Sequence, residues 1–335
     1  MQETHEHNQQ WQHLVDGFRD LGGVCDNVIQ KRGSLGLGLF PIDPERPIEL
    51  RAPAELLVPI DQVRLIGGEI KLANPDQFPA GYAEWFATFQ REFSWGADGR
   101  QSILTFETQL RALPDIVQQN LRPFCGSPIA ERLPTDDDAA VLQRFIRTRQ
   151  IFWEGRPVLM PLIELINHSA NQSTWDIQKN FIRVGGKFSD EVLIRYSVSD
   201  PIRRFLQYGF NCKEPTAFSM NLGFKHRDRT IIVRGGINFS PLKSLKVEFE
   251  NEKIYIYRPL LGSRKAVKAP KRLFQEAFSS VKDVDSDVLF DQISHMNRMQ
   301  ILNLLKSIDQ IDQPIIPKLE QTCLDQLMSL SWAIA

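Results

Sequence analysis

The stretch GLGLFPIDPERPIELRAP, residues 36–53, sets prolines at 41, 44, 47 and 53 directly behind a pair of glycines. Proline fixes its own φ and lacks a backbone N–H, so no helix can run through this segment. A dinucleotide fingerprint needs G-x-G-x-x-G to open a helix whose N-terminus receives the phosphates. Here Pro41 stands where the third glycine would be. Rossmann sites are excluded, the usual Rossmann methyltransferase loop among them, and the glycines must serve strands and turns.

Other common signatures are also missing. There is no G-x-x-x-x-G-K-[ST], no H-E-x-x-H and no G-x-S-x-G, which removes the P-loop, zincin and serine-hydrolase classes. Lys plus Arg number 40 against 41 Asp plus Glu, so the net charge points to neither nucleic acid nor a membrane surface as the principal partner. His5 and His7 form an H-x-H, but a chain end lacks the fixed second shell of a metal site, and no metal is expected. Cys25, Cys125, Cys212 and Cys323 are far apart in the chain. That argues against a zinc cluster and fits reduced thiols in a cytoplasm. The first residues are polar and acidic, with no signal-peptide pattern, and no apolar run reaches membrane-spanning length. A cytoplasmic protein without a membrane partner is the expectation.

Periodicity divides the chain. Trp11, Leu14, Val15, Phe18 and Leu21 predict an amphipathic helix stopped by Gly22-Gly23. Short β-like runs follow. Between about 78 and 150 the pattern turns helical, in AGYAEWFATFQREF, SILTFETQLRALPDIVQQNL and DDDAAVLQRFIRTRQIF, with Asp136, Asp137 and Asp138 as first-turn acids. Strand composition returns in VLMPLIELIN, FIRVGGKF and EVLIRYS, and again over roughly 216–260. From about 271 the tail is helical, with Ile301, Leu304, Leu305 and Ile308 on one stripe. The fold class is α+β: short strands with a helical insert, then a small β and helical C-terminal region.

PLIELINHSANQ, residues 161–172, ends an apolar run on Asn167, His168 and Ser169. Two ordinary explanations compete here, an N-x-S glycosylation site and a structural histidine. The absence of a secretory pattern weakens the first.

RGSLGLGLF, RAPAELLVP, FIRTRQIF, PLIELINHSA, SDEVLIRYS and FLQYGF occur in that order. The series, from about residue 11 to 225, resembles the SET-domain protein lysine methyltransferases, in the branch typified by the Rubisco large-subunit lysine methyltransferase. The resemblance implies a SET domain over 1–225, with its helical insert at about 75–150, and a region 226–335 that helps recruit substrate. It implies S-adenosylmethionine as cofactor and a non-histone protein presenting a lysine as partner, the chain acting as a monomer. Gly36, Leu37 and Gly38 match the G-x-G loop that approaches the methionine part of the cofactor. Arg149 matches an arginine that reaches the cofactor carboxylate, a task that suits guanidinium geometry. Asn167 would hold the amino-acid end, while the backbone of His168 meets the adenine edge. Tyr196 falls on the catalytic position and Tyr208 on a second tyrosine lining the lysine channel. Leu35 replaces an acidic residue found in the branch, Glu164 replaces an aspartate, and a short interval from Asn167 to Tyr196 implies a trimmed hairpin.

The implied reaction is an in-line attack of a neutral lysine amine on a sulfonium methyl, in which alignment and desolvation supply most of the catalysis. Lysine's unperturbed pKa of about 10.4 requires help in deprotonation. Two alternatives stay open: a SET-like module that binds without turnover, and an RNA- or ribosome-associated protein using Arg264, Lys265, Lys268, Lys271 and Arg272 in a loop.

Overall fold

A computed structural model of the chain describes residues 2–94, 96–125, 137–237, 241–281 and 284–331. Asp136 lies outside them. The chain packs as two compact units, one of Met1–Thr105 with Thr135–Tyr196, the other of Phe106–Pro134 with Ser197–Ala335.

In the first unit the predicted amphipathic helix spans Gln2–Asp20, and Trp11, Leu14, Val15 and Phe18 are all buried. Its Trp11 Nε1 donates to Val28 O at 3.0 Å, and Arg19 in the last turn donates to Cys25 O at 2.6 Å. The stop uses both glycines differently. Gly22 takes φ 91°, which L side chains avoid, and a Cβ on Gly23 would overlap the Phe18 ring.

The glycine-rich stretch forms a hairpin. Val28–Gly33 pairs antiparallel with Gly36–Pro41, Gly33 opposite Gly36. Behind it, Val24–Asp26, Ile48–Pro53, Phe181–Gly186 and Asp176–Gln178 make a four-stranded antiparallel sheet in that order. Ile48, Leu50 and Ala52 alternate into the core, the period expected of a sheet with one buried face. The helix Tyr82–Phe89 covers this core with stacked aromatics, and the buried Tyr82 hydroxyl donates to Leu56 O at 2.6 Å. It runs into a widened π-helical turn, Gln90–Ser94.

Two strand assignments come out shorter than expected. In VLMPLIELIN the strand stops at Leu159, Leu162 takes φ 64° while fully buried, Ile163–Leu165 forms a 3-10 turn, and only Asn167–His168 is extended. Pro161 cannot donate to a ladder, and a short apolar run reads alike for a strand and a buried turn. In SDEVLIRYS only Leu193–Ile194 is a strand, parallel to Asn167–His168.

The segment read as one helical run is divided at Pro114, between Gly96–Arg111 and Asp115–Cys125. The helix Pro201–Tyr208 has its ends written in the sequence. Asp200 caps it by accepting from Arg203 N at 2.9 Å, Pro201 opens it, and Gly209 at φ 80° closes it by donating to Phe205 O. Leu222–His226, Arg229–Arg234, Lys253–Tyr257 and Lys246–Glu250 form a sheet in that order, its middle pair parallel. Ile231, Val233, Ile254 and Ile256 share a core with the helices Ala269–Phe278, Ser286–Ile308 and Ile316–Ser331.

The basic run is not wholly a loop. Lys271 and Arg272 lie in a helix, Lys271 3.6 Å from Asp291 and Arg272 3.5 Å from Glu276, while Arg264, Lys265 and Lys268 are exposed. All four cysteines are free thiols, and burial pushes Cys25 and Cys323 up to about 12, far from reactivity at neutral pH. No helix among the described residues is long and apolar enough to cross a membrane. The architecture is α+β.

Candidate functional site

In the first unit two distant segments converge on the glycine hairpin. Asn167 and His168 pair with Leu193 and Ile194, and Ser169 N donates to Ile194 O at 2.8 Å. One step earlier Val192 N donates to Leu39 O at 2.7 Å, which ties this segment to the hairpin strand Gly36–Pro41. The Asn167 carboxamide closes the arrangement. Its Nδ2 donates to Leu37 O at 3.0 Å and to Glu191 Oε1 at 2.6 Å. A Cβ on Gly38 would stand 2.7 Å from Asn167 Nδ2 and well inside contact of Glu191 Oε1, so the second glycine of GLGLF makes room for this pair. Gly36, Leu37, Gly38 and Asn167, expected to act together, are therefore neighbours, and Leu37 is exposed at 45 %.

Tyr196 follows directly. Its hydroxyl donates to Ile166 O at 2.7 Å, its backbone N–H donates to His168 Nδ1 at 3.2 Å, and its ring lies between those of His168 and Trp175. The His168 imidazole is thus committed to holding the Tyr196 segment. Because the hydroxyl proton is directed to a carbonyl, the phenolic oxygen presents its lone pairs for an incoming N–H.

Arg149 is held by contacts within the first unit. Its Nε lies 3.8 Å from Glu164 Oε1, its Nη2 donates to Ser94 O at 3.4 Å, and its guanidinium covers the Phe145 ring at 4.4 Å. Tyr196 lies within its electrostatic reach. Glu164, where the branch has aspartate, uses its extra methylene to meet the widened turn: Oε1 accepts from Gln90 Nε2 at 3.0 Å and from Ser94 Oγ at 2.6 Å. Oε2 is buried and has no hydrogen-bond partner among the described residues. Burial raises the Glu164 carboxyl above its ordinary value of 4.5, against the downward pull of Arg149, Ser94 and Gln90. Burial likewise lowers Arg149, with Glu164 opposing.

A raised carboxyl binds its proton more tightly when folded than when unfolded, so folding is favoured below about pH 4.5 and loses that advantage as pH rises toward the folded value. Glu164→Gln removes this titration. Unfolding in urea from pH 4 to 7 should show the wild type losing stability relative to the Gln variant as pH rises. A difference that is flat with pH would contradict the sign.

Tyr208 belongs to the second unit, at the end of the helix Pro201–Tyr208. The Arg204 guanidinium sits over its ring at 5.1 Å. Burial pushes its phenol up and Arg204 pulls it down. Arg204 is fully buried, bonded to Glu214 Oε1 at 2.6 Å and to Ser197 O at 2.8 Å.

Sequence reasoning missed Glu191, the Gln90 and Ser94 partners of Glu164, and Arg204. Glu191 carried a signal: Val192 and Ile194 are buried alternate positions, so the period of two turns Glu191 to the other face. The π turn that delivers Gln90 and Ser94 left no local pattern.

No family model matches the chain, and no curated protein matches it. Among solved structures it is similar to the SET domain of LSMT bound to lysine and AdoHcy, with 14 % identity over 96 % of this chain and 89 % of that one, at a TM-score of 0.43.

Proposed function

We propose that the protein is an S-adenosylmethionine-dependent protein lysine N-methyltransferase of the SET type, its SET domain spanning residues 1–225. The observation that carries this is the convergence on one hairpin: the Asn167 carboxamide bonded to Leu37 O at 3.0 Å, with Tyr196 held two residues beyond the paired Leu193–Ile194 strand. The residues present fit the cofactor's amino-acid end. An amide, an exposed hairpin edge and a half-buried guanidinium supply neutral and cationic hydrogen-bonding groups, and the missing Cβ at Gly38 lets backbone and side chains approach closely.

When bound, the cofactor supplies an activated sulfonium methyl. This chain's residues do the rest. Gly36 to Gly38, Asn167 and the His168 backbone hold the amino-acid and adenine ends, and Arg149 faces the carboxylate. Tyr196 accepts from the lysine amine through its phenolic oxygen and aligns the nitrogen lone pair. Tyr208, the second tyrosine of the resemblance, is proposed to offer its π face to a methylated ammonium. The partner is a protein presenting a lysine, and residues 226–335 help to recruit it.

The full chain, incubated with mixed cell proteins and methyl-labelled S-adenosylmethionine, should place label on lysine recovered after acid hydrolysis. Cofactor binding without any transfer would instead support a non-catalytic SET-like module.

A further inference from the structure

Among the described residues no cation pairs with the Glu191 carboxylate. Three buried carboxylates face an arginine: Glu164 faces Arg149, Asp200 faces Arg203, and Glu214 faces Arg204. Glu191 differs. It is half-buried, among the described residues it makes no salt bridge, and its one polar contact is the Asn167 amide at 2.6 Å. A carboxylate withdrawn from water and left with one neutral donor keeps most of its capacity for hydrogen bonds and all of its charge.

The Glu191 carboxylate packs closely on the hairpin backbone. Both oxygens lie against glycines: a Cβ on Gly33 would stand 3.2 Å from Oε2, and one on Gly38 would overlap Oε1. The Asn167 carboxamide spends its Nδ2 on Glu191 and Leu37 O, and its Oδ1 accepts from no group among the described residues. A carboxylate and a carboxamide oxygen, on a hairpin without side chains at those positions, form an acceptor set for a small cation with N–H donors. Leu35, at the hairpin tip, brings no charge of its own and is 55 % exposed. The acidic group on this hairpin thus comes from the adjoining strand segment.

We infer that Glu191 is a cofactor-binding residue whose carboxylate receives the α-ammonium of S-adenosylmethionine, with Asn167 Oδ1 as the second acceptor. This rests on the methyltransferase reading of the site. No bond is made or broken in the step. A hydrated ammonium exchanges water for a charge-assisted contact.

The test is calorimetric titration of the full-length protein with S-adenosylhomocysteine and with its desamino analogue, which keeps the carboxylate and lacks the amine. The unsubstituted protein should bind the desamino analogue about ten- to a hundred-fold more weakly, the loss expected for a hydrogen bond to a charged group. Glu191→Gln keeps the side-chain shape and an acceptor for Asn167. It should weaken S-adenosylhomocysteine by a similar factor and leave the desamino analogue unchanged. Equal binding of S-adenosylhomocysteine by the two proteins, or tighter binding by Glu191→Gln, overturns the assignment of Glu191 alone. No binding of S-adenosylhomocysteine by the unsubstituted protein overturns the cofactor reading and this inference with it. Where Glu191→Gln fails to fold, Glu191→Asp, which keeps the charge and withdraws it by one methylene, takes its place: it should weaken S-adenosylhomocysteine and leave the desamino analogue unchanged, and equal binding of S-adenosylhomocysteine overturns the assignment of Glu191.

Discussion

Tyr196→Phe should retain affinity for S-adenosylhomocysteine and lose methyl transfer by about 10²–10³-fold, the loss typical when one preorganised polar group is removed from a reacting centre. The phenolic oxygen is the only part of the side chain deleted, and its proton is directed to Ile166 O at 2.7 Å. The ring stays packed between His168 and Trp175, and the backbone N–H of residue 196 still reaches His168 Nδ1. The local fold should therefore survive at a cost of about 1 kcal/mol for the lost hydrogen bond. Labelled transfer to protein lysine, measured beside a binding titration on the same preparation, separates the two effects. Turnover at the wild-type rate would remove Tyr196 from the reaction.

Glu214→Ala should destabilise the second unit by about 3–5 kcal/mol. Arg204 is 0 % exposed and Glu214 is 1 % exposed at the side chain, with Nε and Oε1 2.6 Å apart. Deleting the carboxylate strands a guanidinium that cannot neutralise itself by losing a proton. It also bonds Ser197, whose carbonyl and hydroxyl offer no charge. The same guanidinium covers the Tyr208 ring, so Glu214→Ala should also disturb the tyrosine assigned to the lysine channel. Glu214→Gln, which retains an acceptor, should cost less. Urea unfolding followed by far-UV circular dichroism reads both, and a loss below about 1 kcal/mol in the Ala variant would mean that the pair contributes little.

The parts legible in the chain are those that local chemistry decides. The four prolines behind Gly36-Leu37-Gly38 excluded a phosphate-binding helix, and the segment is a hairpin. The stripe Trp11, Leu14, Val15, Phe18 became a buried helix face, and the stop at Gly22-Gly23 needed both residues. The Asp200, Pro201 and Gly209 punctuation sets the ends of the helix that carries Tyr208, an element the sequence reading did not place. Two strands were read too long, because apolar runs around Pro161 and Val192 have the same composition whether they pair or turn. The basic run was read as a loop, while its second half lies on a helix with carboxylates in reach.

The sequence by itself determined which residues are available to the site, because residue type, proline and glycine placement, and periodicity act within a few positions of the chain. Only the tertiary structure decided what each polar group faces. Glu164 meets Gln90 across 74 residues and Ser94 across 70, and Asn167 meets Leu37 across 130. Nothing local encodes such pairs. They are selected when burial makes an unpartnered polar group costly and the whole fold brings a complementary one within reach.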